Sequence, residues 1–89
     1  MKKGILDKAV DKFDLPGEVL GDLPRITLTG GKRVVIENHK GLMDYGNQLI
    51  LVAGGRVNIK ITGTNLELRA MTQDALLITG EVFAAEFLY

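Results

Sequence analysis

Arg25-Ile26-Thr27-Leu28-Thr29-Gly30-Gly31-Lys32-Arg33-Val34-Val35-Ile36-Glu37 decides the fold class, because runs of alternating apolar and polar residues flank a pair of glycines. A period of two puts one set of side chains on a single face of a pleated strand. The loop between two such strands must bring the apolar residues of both onto the same face. A two-residue turn at Gly30-Gly31 sets Leu28 opposite Arg33. A three-residue loop through Lys32 sets Leu28 opposite Val34 and Ile26 opposite Ile36, so the longer, bulged hairpin is expected.

The same pattern continues to the end of the chain. It predicts about eight short strands, over residues 25–29, 32–37, 42–45, 48–53, 56–62, 66–71, 75–79 and 82–88. A two-residue turn at Gly54-Gly55 pairs Val52 with Val57 and Ile50 with Ile59. A turn at Asn38 to Gly41 sets Ile36 against Met43, and one at Thr62 to Asn65 sets Ile61 against Leu66 and Ile59 against Leu68. Loops at Thr72 to Asp74 and at Gly80-Glu81 bring Leu68, Ile78 and Phe83 together. The expected core is therefore Ile26, Leu28, Ile36, Ile59, Ile61, Leu68, Ile78 and Phe83.

Ahead of Pro24 the period changes. Ile5, Leu6, Ala9, Val10 and Phe13 recur at spacings of three and four, which predicts a helix from about Lys3 to Phe13. Asp14 and Pro16 suit the cap and first position of a second, very short helical turn through Leu20, ended by Gly21. Pro24 fixes its own φ and biases Leu23 away from helix, as an exit into a strand requires. A single domain over 1–89 is expected, with a helical N-terminal segment over 1–24 and a β domain over 25–89.

One wet-sided sheet does not absorb all the apolar residues. Val35, Leu49, Leu51, Leu77, Val82, Ala84 and Leu88 alternate onto the other face, and bare apolar patches of that size are rare. The cover is a second layer made by the chain folding over itself, the N-terminal helix, or another copy. About eight evenly spaced strands favour a small antiparallel β-sandwich or a partly closed barrel.

Composition excludes several classes of function. The chain has 89 residues, 46% of them hydrophobic and 25% charged, the balance of a folded domain with a small core. Eleven basic and eleven acidic residues cancel, so no long-range field gathers nucleic acid or acidic substrates. The chain has no cysteine, which removes disulfides, thiolate metal sites and a cysteine nucleophile together, and suits a reducing cytoplasm. Serine is also absent. The longest apolar runs, such as Leu49-Ile50-Leu51-Val52-Ala53, fall far short of the roughly 20 residues of a spanning helix. Met1-Lys2-Lys3 leads into Asp7 and Asp11 with no apolar block of the signal-peptide kind.

Reactive groups are scarce. His39, between Asn38 and Lys40, reads as a solvated turn histidine, and its replacement by alanine is expected to leave folding unchanged and to remove no metal. Glu67 and Glu81 read as surface charge in place of a catalytic pair. Gly30-Gly31 and Gly54-Gly55 precede strands, so they are turns and no phosphate loop. Basic residues from Arg25 onward are interleaved with acids, against nucleic-acid binding. Lys2, Lys3, Lys8 and Lys12 beside the apolar stripe suit a membrane surface, which Asp7, Asp11 and Asp14 oppose. No catalytic, cofactor or metal residues are assigned. Phe13, Leu49, Leu51, Leu77, Val82, Phe87, Leu88 and Tyr89 are the candidate interaction residues, and the apolar C-terminal strand points to self-association or docking on a partner.

Asp22-Leu23-Pro24-Arg25-Ile26-Thr27-Leu28-Thr29-Gly30 followed by Val35-Ile36-Glu37-Asn38-His39-Lys40-Gly41 resembles the start of the YabP/YqfC family of sporulation proteins. Gly55-Arg56-Val57-Asn58-Ile59-Lys60-Ile61-Thr62-Gly63-Thr64-Asn65-Leu66 and Ile78-Thr79-Gly80-Glu81-Val82 are similar to the family's repeated strand-then-glycine pattern. Asp14-Leu15-Pro16 ahead of Asp22-Leu23-Pro24 matches the YqfC-like branch. The resemblance implies a mainly β fold and a non-enzymatic role in bacterial endospore formation. It places the chain in the mother-cell cytoplasm, near the membrane around the forespore, with a membrane protein made alongside it as partner; the surplus of apolar residues separately points to a homo-oligomer. The alternatives are a peripheral membrane module anchored by the N-terminal helix and a small-ligand-binding β domain.

Overall fold

The computed structural model describes residues 23–89. They form β1 (Arg25–Thr29), β2 (Arg33–Glu37), β3 (Gly41–Tyr45), β4 (Leu49–Ala53), β5 (Asn58–Met71) and β6 (Ala75–Leu88). All six strands are antiparallel in one sheet of order β1-β2-β6-β5-β4-β3, which is open because β1 and β3 each have a single neighbour. The expected N-terminal helix, the short turn after it and Phe13 lie outside the described residues.

The first hairpin has the register that the alternation demands. Ile26 faces Ile36 and Leu28 faces Val34. Gly30 and Gly31 take φ of 55° and 65° in the three-residue loop, and the Lys32 N–H donates to the Thr29 carbonyl at 2.9 Å. Positive φ at both is why glycine stands there.

Eight expected strands become six because two expected turns are kinks inside long strands. β5 fuses the predicted 56–62 and 66–71 segments, and β6 fuses 75–79 and 82–88. Their shared ladder shifts register near Gly63 and again before Glu67, so the inward residues of β5 are Ile59, Ile61 and Gly63, then Leu66 and Leu68. In β6 they are Leu76 and Ile78, then Val82, and from there Ala85, the change of parity falling at Phe83. Asn65 at φ 54° and Gly80 at φ 139° mark the kinks. A straight 14-residue strand would run about 43 Å, more than the longest dimension of the molecule, 40 Å.

The kinked hairpin folds back so that its tip lies over its base. The crossover from β2 to β3 spans the two layers: the Asn38 N–H donates to the Asp74 carbonyl at the tip, and the Lys40 N–H to the Ala53 carbonyl at the base, each at 2.7 Å. β1, β2 and the inner halves of the hairpin make one layer; β3, β4 and its outer halves make the other. Val34, Ile36, Ile50, Val52, Ile59, Ile61, Leu66, Leu76 and Ile78 form one buried cluster between them. The chain's own second layer thus covers the expected core face; of the surplus apolar residues Val82 alone joins that core, while Val35, Leu49, Leu51 and Leu77 stay half-buried on the outer faces.

Several expectations are corrected by this topology. Ile36 does not meet Met43, because β2 pairs with β1 and β6 while β3 pairs with β4. The Gly54-Gly55 turn is longer than two residues, so Val52 faces Ile59 and Ile50 faces Ile61. Gly54 is buried against Pro24, its N–H donates to the Asn58 side chain at 3.4 Å, and Val57 tucks inward. Leu68 faces Ile78 as expected and is half-buried with Ile26. Leu28 and Phe83 leave the expected core, at 54% and 70% exposure. Leu28 sits on the edge strand β1, and Phe83 occupies the extra position of the bulge, opposite no residue of β5.

His39 is the largest departure among single residues. It is 5% exposed, not solvated. Its Nε2–H donates to the Thr72 carbonyl at 3.1 Å, and its Nδ1 accepts the Gly41 N–H at 3.0 Å. The ring therefore clasps the hairpin tip to the crossover. His39→Ala strands a carbonyl and an N–H in a part-buried site, so it should lower stability by about 1–3 kcal/mol, measured by urea denaturation. An unchanged midpoint would show that the clasp carries no stability.

Candidate interaction surface

Among the described residues no group of three or more His, Asp or Glu side chains is placed to hold a metal ion. Glu67 and Glu81, the one carboxylate pair considered from sequence, are held apart by their own partners. Glu67 takes Arg69 at 3.0 Å, whereas Glu81 accepts from the Thr64 hydroxyl at 3.0 Å and lies 3.7 Å from Lys32. Arg25–Glu37 at 4.0 Å and Lys60–Glu86 at 3.8 Å are further solvent-exposed pairs. Such pairs contribute at most about 1 kcal/mol each and leave no single-sign face. No helix among the described residues is long and apolar enough to cross a membrane.

The apolar surface is more informative. Leu49 and Leu51 are half-buried on the outer face of one layer, where Leu51 stands in a row with Asp44, Lys60 and Glu86. Leu77 is half-buried on the outer face of the other layer, in a row with Thr27, Val35 and Ala70. These residues do not come together, because the fold divides them between two opposite faces. Val82 does not point outward at all. It packs against the core, since the bulge at Phe83 reverses the alternation beyond it.

The last strand does gather its candidates. Phe87 is 47% exposed, Leu88 39%, and Tyr89 wholly exposed. Phe87 and Tyr89 join Leu23, Pro24, Arg56 and Val57 around an open depression of about 420 Å³. Sequence reasoning missed Phe83, which alternation assigns to the core, and Leu23, which sits in the link before β1. A bulge next to Gly80 is the one local signal for the first; nothing local signals the second.

β6 changes its surroundings along its length. Residues 75–79 lie between β2 and β5, and beyond them the Val82 N–H donates to the Gly31 carbonyl at 2.8 Å. From Phe83 onward, β5 is its ladder neighbour on one side, and no described strand is paired on the other. An apolar strand with one open edge can bind by adding a strand or by packing its face.

The described residues thus define a small all-β domain built on one folded-over antiparallel sheet. The model of the YabP family matches residues 22–89, and the chain belongs to that family. It is 30% identical over 70 residues to the uncharacterized protein YqfC of Bacillus subtilis (strain 168), a match covering 79% of this chain and 75% of that protein. No solved structure matches.

Proposed function

We infer that the chain is a non-enzymatic interaction protein of bacterial endospore formation that works in the mother cell by binding a membrane protein at the forespore surface. The observation that carries this reading is the open, apolar end of β6, with Phe83, Phe87 and Tyr89 exposed beside backbone that no described strand pairs. Membership of the YabP family supports the setting in sporulation. Binding through a strand edge or an apolar face needs no reactive groups, in keeping with a chain that has neither cysteine nor serine. The depression at Phe87 and Tyr89 has mostly apolar walls with Arg56 as its charged lining residue, a poor fit to catalysis, which needs convergent polar groups.

The test is affinity capture with the tagged full chain from detergent-solubilised membranes of sporulating cells. A membrane protein should be recovered with the wild type and lost with the combined Phe87→Glu and Tyr89→Glu substitutions. Equal recovery with both chains would overturn the assignment to β6. Flotation of the purified chain alone with anionic vesicles would instead favour a peripheral membrane module.

A further inference from the structure

Strand edges are usually defended against stray pairing by charges, proline, bulges or short length. Three of the open edges here show such devices. β1 follows Pro24 and carries Arg25, Thr27 and Thr29. β3 is bulged between Leu42 and Asp44. The half of β5 next to the hairpin tip carries the Glu67–Arg69 pair, and its Leu68 N–H is taken by the Tyr45 hydroxyl at 3.3 Å. β6 beyond Val82 has its bulge at Phe83, but from Ala84 to Leu88 it pairs without a break with β5 and has no proline, no basic residue and one charge, Glu86, which lies 3.8 Å from Lys60 on the outer face. This edge is left fit for a strand.

The sequence of the edge is complementary to itself. In an antiparallel pairing centred on Ala85, Phe83 of each copy stands opposite Phe87 of the other. Ala84 then faces Glu86, so no like charges meet. Centring on Ala84 sets Phe87 against Glu81 and Val82 against Glu86; centring on Glu86 sets two carboxylates face to face. Cross-strand aromatic pairs favour the first register, and like charges directly opposite oppose the last. A two-fold axis through such a pairing makes an isologous contact, the commonest kind in soluble oligomers.

We propose that two copies of this chain pair antiparallel along β6, with Ala85 opposite Ala85, joining their sheets into one continuous sheet across a two-fold axis. The four phenylalanines at positions 83 and 87 then lie together on one face of the joint. The proposal rests on the reading of β6 as an interaction element: the second copy takes its backbone edge, and the exposed side chains of Phe87 and Tyr89 are left for the membrane protein.

The experiment uses the full chain and two independent readouts. Sedimentation velocity over a range of concentrations should show a monomer–dimer equilibrium, and Phe83→Lys should weaken it at least about tenfold without changing the far-ultraviolet circular dichroism. Because the chain has no cysteine, Ala85→Cys introduces a single thiol. At the axis the facing Cα atoms would stand about 4.5–5.5 Å apart, within disulfide reach. Mild oxidation should cross-link Ala85→Cys as a dimer and leave Thr27→Cys, on β1, monomeric. A monomer at every concentration, or a dimer that cross-links through Thr27→Cys and not Ala85→Cys, would overturn the pairing. A monomer that still captures the membrane protein through Phe87 and Tyr89 would overturn the pairing alone and leave the interaction reading standing.

Discussion

Ile59→Ala should destabilise the chain by about 2–5 kcal/mol, a large share of its stability. Ile59 is fully buried, and the ladder sets it between Val52 of β4 and Phe87 of β6. Its side chain belongs to the cluster that both layers share, so truncation opens a cavity that neither layer can fill alone. A domain of this size has a total stability of about 4–13 kcal/mol at the usual yield per residue. Leu68→Ala, at a half-buried site one layer away, should cost less. Urea denaturation of both variants gives the comparison, and a loss below about 1 kcal/mol at Ile59 would place the core elsewhere.

The second large effect is expected at Gly80. Its φ is 139°, and a Cβ built there would come within 2.5 Å of the Asn65 carbonyl oxygen and 3.0 Å of the Leu66 Cα. Gly63, its counterpart in β5, would bring a Cβ against the Glu81 carbonyl. The nearest contacting atom is a backbone carbonyl oxygen in both cases, which cannot swing aside as a side chain can. Gly80→Ala combines overpacking of about 1–3 kcal/mol with a strained backbone of similar size. The melting temperature should fall by more than about 10 °C. Gly30→Ala is the control, for it has positive φ but nothing within 4 Å of the added carbon. Equal melting temperatures for the two variants would show that close approach at the kink does not matter.

The strands themselves were legible because alternation is local, and the first hairpin was legible down to its register. What failed needed knowledge of distant neighbours. A glycine that interrupts alternation looks the same at a turn and at a kink, so Gly63 and Gly80 read as strand ends although the strands run through both. The register after Val52 slipped by two residues, a shift that keeps every side chain on its face and so leaves no trace in the pattern. Ile36 was set against Met43 on the rule that consecutive strands pair, a tendency with many exceptions. His39 has polar neighbours in sequence and owes its burial to Thr72, brought over it by the folded hairpin. In the candidate surface, exposure of Phe87, Leu88 and Tyr89 followed from a strand apolar on both faces, whereas Val82 and Phe83 exchanged roles at one bulge.

The strand order also sets the sequence of events by which the molecule assembles. Every ladder joins strands adjacent in the chain except β2 with β6, which brings Glu37 to Ala75 across the whole of β3, β4 and β5. Local hairpins can close in microseconds, while a contact that spans so much chain must first overcome the entropy of a large loop. That entropy grows only with the logarithm of loop length, at about 0.6 kcal/mol per doubling. The slow step of folding therefore belongs to one junction, yet its difficulty hardly depends on how long the intervening turns are. Lengthening the exposed turn at Gly55 and Arg56 should therefore have little effect on how fast the sheet is completed, whereas the Asn47 and Gln48 carbonyls accept from the Leu66 and Gly63 N–H groups and tie the β3–β4 turn to the kink of β5.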